Sequence, residues 1–245
     1  MKFTCQRDTL KIRGKIFGIE KQPKPVIILS HGFLANMKTV EEYALLLAKK
    51  YVTVIFDFCG GGLHSKSSGK SQDMTIFTEK EDLLSVISYI KQQPFVDPKH
   101  ITLMGCSQGG VVSALAAKEL GKDIEKMILL YPALCIPDDA RKGKMMFYTF
   151  DPDNIPDLLG RFPMKLSGDY ARTVINLDIY QAITGYKGPV LYLHGDKDDI
   201  VDISYARKGH KCFPKCEYHE IKKGGHGFTG NAQKEACMLI KAFML

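Results

Sequence analysis

The sequence predicts an α/β protein, a mostly parallel eight-stranded sheet flanked by helices and interrupted by one inserted segment. Three observations lead there. Short β-branched runs alternate with longer amphipathic stretches, the pattern of strands alternating with helices. Two of the runs, Val26-Ile27-Ile28-Leu29 and Ile128-Leu129-Leu130, are apolar almost without interruption, as central strands covered on both faces must be. A length of 245 residues with 45% hydrophobic and 25% charged content suits one large α/β domain and excludes a disordered chain or a disulfide miniprotein.

Residues 2–6 and 10–17 read as an opening hairpin, and further strands are expected at 26–30, 52–57, 101–105, 127–131, 190–194 and 217–221. Helical patterns at 39–50, 79–93, 108–120 and 204–212 lie between strands, and one at 233–243 closes the chain. The rhythm breaks between Ala133 and Lys187. There Pro137, Pro152, Pro156 and Pro163 oppose both a long helix and a central strand. With no repeat or low-complexity linker in view, 133–187 reads as a lid inserted within a single domain spanning 1–245.

The formal charge of +7 is spread along the chain. Its denser patches, Lys21/Lys24, Lys49/Lys50, Arg141/Lys142/Lys144 and Lys222/Lys223, read as a solvated surface rather than as a site for acidic substrates, a membrane surface or nucleic acid. Seven cysteines without framework spacing, and an N-terminus lacking an apolar signal core, point to free thiols in a reducing cytoplasm. No apolar run approaches the ~18 residues of a spanning helix, so integral membrane association is not expected. Cys212 and Cys216 have no second cysteine pair, which argues against zinc.

The most specific chemical signal is Gly105-Cys106-Ser107-Gln108-Gly109, set between an apolar strand run and a helical pattern. Small residues flank Ser107 because a sharp strand-to-helix turn brings backbones together, which favours a nucleophile over a plain helix cap. A serine hydroxyl becomes a good nucleophile only when a base takes its proton and a carboxylate orients that base. After one late strand lies Gly195-Asp196-Lys197-Asp198-Asp199, where Asp198 is the favoured acid while Asp196 and Asp199 remain competitors that could cap a turn. After the last strand lies Gly224-Gly225-His226-Gly227, a mobile-looking setting that favours His226 as base over His219, inside a strand pattern, and His194, which ends a buried strand. An oxyanion needs two donors. Backbone N–H groups of Gln108, directly after the serine, and of Phe33, in Ser30-His31-Gly32-Phe33, are the candidates.

Together these motifs resemble the α/β-hydrolase superfamily over essentially the whole chain, and most closely the compact bacterial cinnamoyl and feruloyl esterases. The order Ser, Asp, His is that of the superfamily. The resemblance extends through Tyr131-Pro132-Ala133, Asp151-Pro152-Asp153-Asn154-Ile155-Pro156-Asp157 and Gly168-Asp169-Tyr170. It implies a lid over an acyl pocket, with Asp139 and Tyr170 at the positions that hold the phenolic end of a hydroxycinnamoyl group. Two departures stand out: Cys59-Gly60-Gly61-Gly62-Leu63-His64-Ser65 replaces the usual Gly-His-Gly-x-Ser, and Cys106 replaces the usual His. The resemblance implies a serine carboxylic-ester hydrolase acting on a small-molecule ester of feruloyl type or with a short acyl chain. No cofactor or metal and no nucleic-acid partner is expected, and a homodimer is allowed. A prolyl or acylaminoacyl peptidase and a monoacylglycerol lipase are the alternatives, because the same three residues serve amides and lipid esters.

Overall fold

The computed structural model describes residues 1–245. In chain order the strands and helices are β1 (Lys2–Arg7), β2 (Leu10–Phe17), β3 (Lys24–Ser30), α1 (Glu41–Leu47), β4 (Val52–Phe56), α2 (Ile76–Lys91), β5 (Val96–Cys106), α3 (Gln108–Leu120) and β6 (Lys126–Leu130). There follow α4 (Ile136–Arg141), β7 (Lys144–Met145), β8 (Tyr148–Thr149), β9 (Leu158–Gly160), β10 (Leu166–Ser167), α5 (Asp169–Arg172) and α6 (Ile179–Ile183). The chain ends with β11 (Val190–Gly195), α7 (Ile203–Gly209), β12 (Cys216–Ile221) and α8 (Gly230–Phe243).

Eight strands form one sheet in the order β1-β2-β4-β3-β5-β6-β11-β12. The β1–β2 hairpin and the β2–β4 pair are antiparallel, and every pair from β4 to β12 is parallel. Alternate side chains feed two separate cores. Val26, Ile28, Val52 and Val54 face the helices α2 and α3, whereas Ile27, Leu29 and Ile55 face α1 and α8. Burial on both faces is why β3, β4 and β6 read as continuous apolar runs.

Several boundaries differ from the sequence reading, each for a local reason. The helix expected from residue 79 starts at Ile76, because Thr75 and Thr78 cap one another's backbone N–H groups across the first turn, with threonine in place of the usual Glu or Gln. The helix expected over 39–50 begins as a tighter turn, Met37–Val40, capped by the Asn36 side chain. Strand β5 begins at Val96 rather than Ile101, since exposed Pro98, Lys99 and His100 hide the period while a register shift keeps Val96 paired with Lys24. The last helix gains a turn at its start, from Gly230.

One buried charge pair anchors the hairpin to α2. Asp82 is fully buried, accepts from the Cys59 N–H at 2.8 Å and lies 3.1 Å from the Arg7 guanidinium. Burial pushes its carboxyl up to about 6, against the pull of Arg7. Arg7→Met is expected to destabilise the fold by about 3 kcal/mol, because the partner charge is left without compensation. The loss should be larger at pH 8 than at pH 5, where Asp82 protonates and becomes neutral, and urea melts at the two pH values measure it. Equal losses at both would overturn the account.

Between β6 and β11 the chain forms only short pieces: three helices of four to six residues and two small antiparallel ribbons, β7–β8 and β9–β10. They lie at the carboxyl ends of the parallel strands, where open α/β sheets place their ligands.

Candidate active site

The sharp turn between β5 and α3 holds Ser107 at φ 53°, ψ −123°, a left-handed strained conformation. Its N–H donates to the Leu130 carbonyl at 2.9 Å, and its carbonyl accepts from Ala133 at 3.1 Å, so neighbouring strand ends clamp the turn. His226 reaches over from the loop after β12. Its Nε2 stands 2.9 Å from Ser107 Oγ and its Nδ1 stands 2.8 Å from Asp198 Oδ2. The edge of the Tyr131 ring supports the imidazole, with centroids 4.9 Å apart, and Tyr131 is backed in turn by Phe228.

Asp198 occupies the loop after β11 with its side chain out of solvent. Oδ1 accepts the N–H groups of Ile200 at 3.0 Å and Val201 at 2.8 Å. Burial alone would push this carboxyl up, but hydrogen bonds from His194, His226 and the Val201 N–H hold it well below the usual carboxylate range. It therefore stays ionised at any working pH. The other two acids lie elsewhere: Asp196 accepts from the Lys223 N–H at 2.6 Å, and Asp199 is exposed. His219 sits on the edge strand β12, 2.7 Å from Glu217, and does not reach Ser107.

The loop after β3 brings Phe33 alongside. Gly32 approaches the serine so closely that a Cβ there would stand 3.0 Å from Ser107 Cβ and 3.4 Å from the Cys106 carbonyl. His31, fully buried, fixes this loop: its Nδ1–H donates to the Gly32 carbonyl at 2.8 Å and its Nε2 accepts from the Phe58 N–H at 3.2 Å. Burial lowers the His31 pKa, which suits a neutral ring with these two roles. A bridge between Leu34 and Gly62 braces the same loop from the departing Cys59–Leu63 stretch. Cys106, the second departure, points away into the core beside Tyr131, and burial pushes its thiol up to about 12. It is not a competing nucleophile at neutral pH.

Gln108 begins α3, directly after Ser107, so its backbone N–H has no helical acceptor. Its side chain is held at both ends. Nε2 donates to Glu79 Oε2 at 2.8 Å and Oε1 accepts the Tyr170 hydroxyl. Glu79 is buried, and burial pushes its carboxyl well above the usual range despite the Gln108 bond.

Ser107, Gln108, Phe33 and His226 open on one cavity of about 150 Å³, whose far wall comes from Cys135, Ile136, Asp139, Met145, Met146 and Tyr170 of the segment after β6. An apolar space of this size takes one benzene-sized ring. Asp139 supplies a carboxyl raised above its ordinary range by burial. A larger groove of about 730 Å³, lined by Arg141, Asp178, Asp202 and Lys208 among others, contains none of these groups and is open and polar. The smaller cavity is the candidate active site because only there do a serine hydroxyl, an imidazole within hydrogen-bond reach of it and backbone donors converge.

Three contributors escape a reading of the sequence. His194 Nε2 lies 3.3 Å from Asp198 Oδ2 and 2.9 Å from the Val201 carbonyl, giving the acid a second histidine neighbour. The four-residue spacing between His194 and Asp198 was its only signal. Glu79, in a helix pattern, and His31, in a turn motif, gave no sign that they brace Gln108 and Phe33.

Comparison with known proteins agrees with this architecture. A family model described as serine aminopeptidase, S33 matches residues 21–167. The protein Est1E of Butyrivibrio proteoclasticus, solved with ferulic acid bound, superposes with a TM-score of 0.89 at 29% identity, covering 99% of this chain and 98% of that one. Among curated relatives, a thiohydrolase of Aspergillus aculeatus is 24% identical over 154 residues, 63% of this chain, and the match spans only 44% of the thiohydrolase. An (R)-3-hydroxydecanoyl-ACP:CoA transacylase of Ectopseudomonas oleovorans is 23% identical over 89% of this chain and 81% of its own length. With 147 of 245 residues inside the family match and the sheet order above, the chain belongs to the serine aminopeptidase S33 family of α/β-hydrolases and stands close to bacterial feruloyl esterases.

Proposed function

We propose that this chain is a serine ester hydrolase acting on small aromatic acyl esters of hydroxycinnamoyl type. The observation that carries the reading is the unbroken hydrogen-bond line Ser107 Oγ to His226 to Asp198 at the floor of a ring-sized cavity. In this reading Ser107 attacks the ester carbonyl while His226 Nε2 takes its proton, and Asp198 stabilises the imidazolium. The backbone N–H groups of Phe33 and Gln108 hold the oxyanion. The alcohol departs with the proton from His226, and water then releases the acyl group by the reverse route. Residues 133–187 serve as the lid, whose Asp139 and Tyr170 meet the ring hydroxyl. Tyr170 already donates its proton to Gln108, so it meets that hydroxyl as an acceptor. Similarity to Est1E, solved with ferulic acid, supports the acyl class.

A second reading has its own observation. The Asp139 carboxyl at the cavity wall would also pair with the ammonium of an aminoacyl substrate, as a serine aminopeptidase requires. Side-by-side turnover of methyl ferulate, a short monoacylglycerol and an aminoacyl anilide separates the cases. Methyl ferulate is expected to have the highest kcat/KM, by about tenfold or more, and the advantage should fall when its ring hydroxyl is methylated. Faster turnover of the anilide would overturn the esterase reading.

A further inference from the structure

The two ribbons of the inserted segment carry a feature that ester chemistry does not use. The turn joining β7 to β8 leaves Met146 37% and Phe147 67% exposed, and the turn joining β9 to β10 leaves Phe162 86% exposed. The ribbons lie side by side: Gly160 of β9 sits against the Tyr148 ring of β8, and the Tyr148 hydroxyl donates to the Met164 carbonyl. Their turns therefore form one face, and Met146 also lines the Ser107 cavity, so that face borders its mouth.

Charge on the ribbons is one-sided. Residues 142–150 and 158–168 hold Lys142, Lys144, Arg161 and Lys165 and not one Asp or Glu. The acids of the segment lie at the ribbon bases or beyond, where Phe150 donates to the Gly143 carbonyl and Gly168 to the Asp157 carbonyl. Ion pairs of the segment, Arg141 with Asp138 and Arg172 with Asp157 and Asp169, all fall outside the turns. Protruding aromatic side chains on ribbons that carry only cations are what an anionic lipid interface selects, since rings enter the acyl boundary while Lys and Arg meet the headgroups. An acidic protein would satisfy the cations but would need a separate pocket for each projecting ring.

We propose that these turns form a peripheral docking face for anionic lipid surfaces, holding the cavity mouth against esters dissolved in the bilayer. Docking itself does not depend on the hydrolase reading; only the delivery of substrate rests on it. The test uses the full chain carrying Ser107→Ala, so that no lipid is consumed, sedimented with vesicles of phosphatidylcholine alone or mixed with phosphatidylglycerol. Binding is expected to the mixed vesicles only and to weaken with salt. Phe147→Ser with Phe162→Ser should lower the partition coefficient at least about tenfold. Lys144→Glu with Arg161→Glu should lower it at least about 25-fold, at roughly fivefold per cation. In the otherwise unchanged chain both pairs should keep normal turnover of a water-soluble ester. Absent or charge-independent vesicle binding overturns the proposal, as does a dimer dissolved by the phenylalanine changes, or an acidic carrier protein captured while vesicles are ignored. Each of these leaves soluble-ester turnover intact, whereas failure of the hydrolase reading removes that turnover and leaves vesicle binding in place.

Discussion

Ser107→Ala is expected to lower turnover of an activated ester by roughly 10⁴–10⁶-fold while the protein stays folded. The size of the loss follows from cooperation: without Oγ, His226 and Asp198 have no nucleophile to activate, and only backbone donors and binding remain. The fold should tolerate the change because the Ser107 side chain makes no cap to α3 and its one hydrogen bond in the site runs to His226. Alanine inherits the same strained φ and neither relieves nor adds to it. Thermal melting within a few degrees of the parent, beside a collapsed kcat, is the expected pair of measurements. A fluorophosphonate probe should label the parent chain and not the variant. Retained activity in the variant would overturn the assignment of Ser107 as nucleophile, and a parent that resists the probe would turn the reading toward a binding protein that keeps the fold without turnover.

The second large effect is on stability and comes from the same turn. Gly109→Ala should destabilise the protein by at least about 3 kcal/mol, because the added Cβ would stand 2.3 Å from the His31 carbonyl oxygen and 2.5 Å from that of Ser30. Both obstacles are backbone at the end of a central strand, so neither can swing aside as a side chain would. For a domain of this size the loss corresponds to a melting temperature lower by roughly 6–12 °C. Any fraction that folds should also turn over ester slowly, since relieving the clash pushes the Phe33 loop away from Ser107. Gly225→Ala is the control: its Cβ would meet only the Lys197 carbonyl oxygen, at 3.9 Å, and melting should barely move. Equal melting temperatures for the two variants would refute the close-approach account.

What the sequence determined by itself is what local chemistry and period encode. Continuous apolar runs identified β3 and β6 as central strands, because a strand covered on both faces has no polar side to show. Prolines between Ala133 and Lys187 barred long elements from that stretch, and the chain there makes only short ones. Strand-end motifs singled out Ser107, Asp198 and His226, since tight turns and polar loops leave compositional marks. Helix starts were less legible where the cap was unconventional, as with Thr75 and Thr78.

Tertiary structure alone decided the contacts that join distant segments. Its place beyond the strand end favours Asp198 within Gly195-Asp196-Lys197-Asp198-Asp199, but contact with an imidazole 28 residues later comes from the path of the loop after β11, which turns Asp198 inward and leaves Asp199 in solvent. His194, Glu79 and His31 gain their roles only because parallel strands and α2 bring them to the serine turn from elsewhere in the chain. The aromatic turns at Phe147 and Phe162 become one face only when two ribbons lie side by side. Periodicity reports which way a side chain points within its own element, while pairing across elements depends on the packing of the whole sheet.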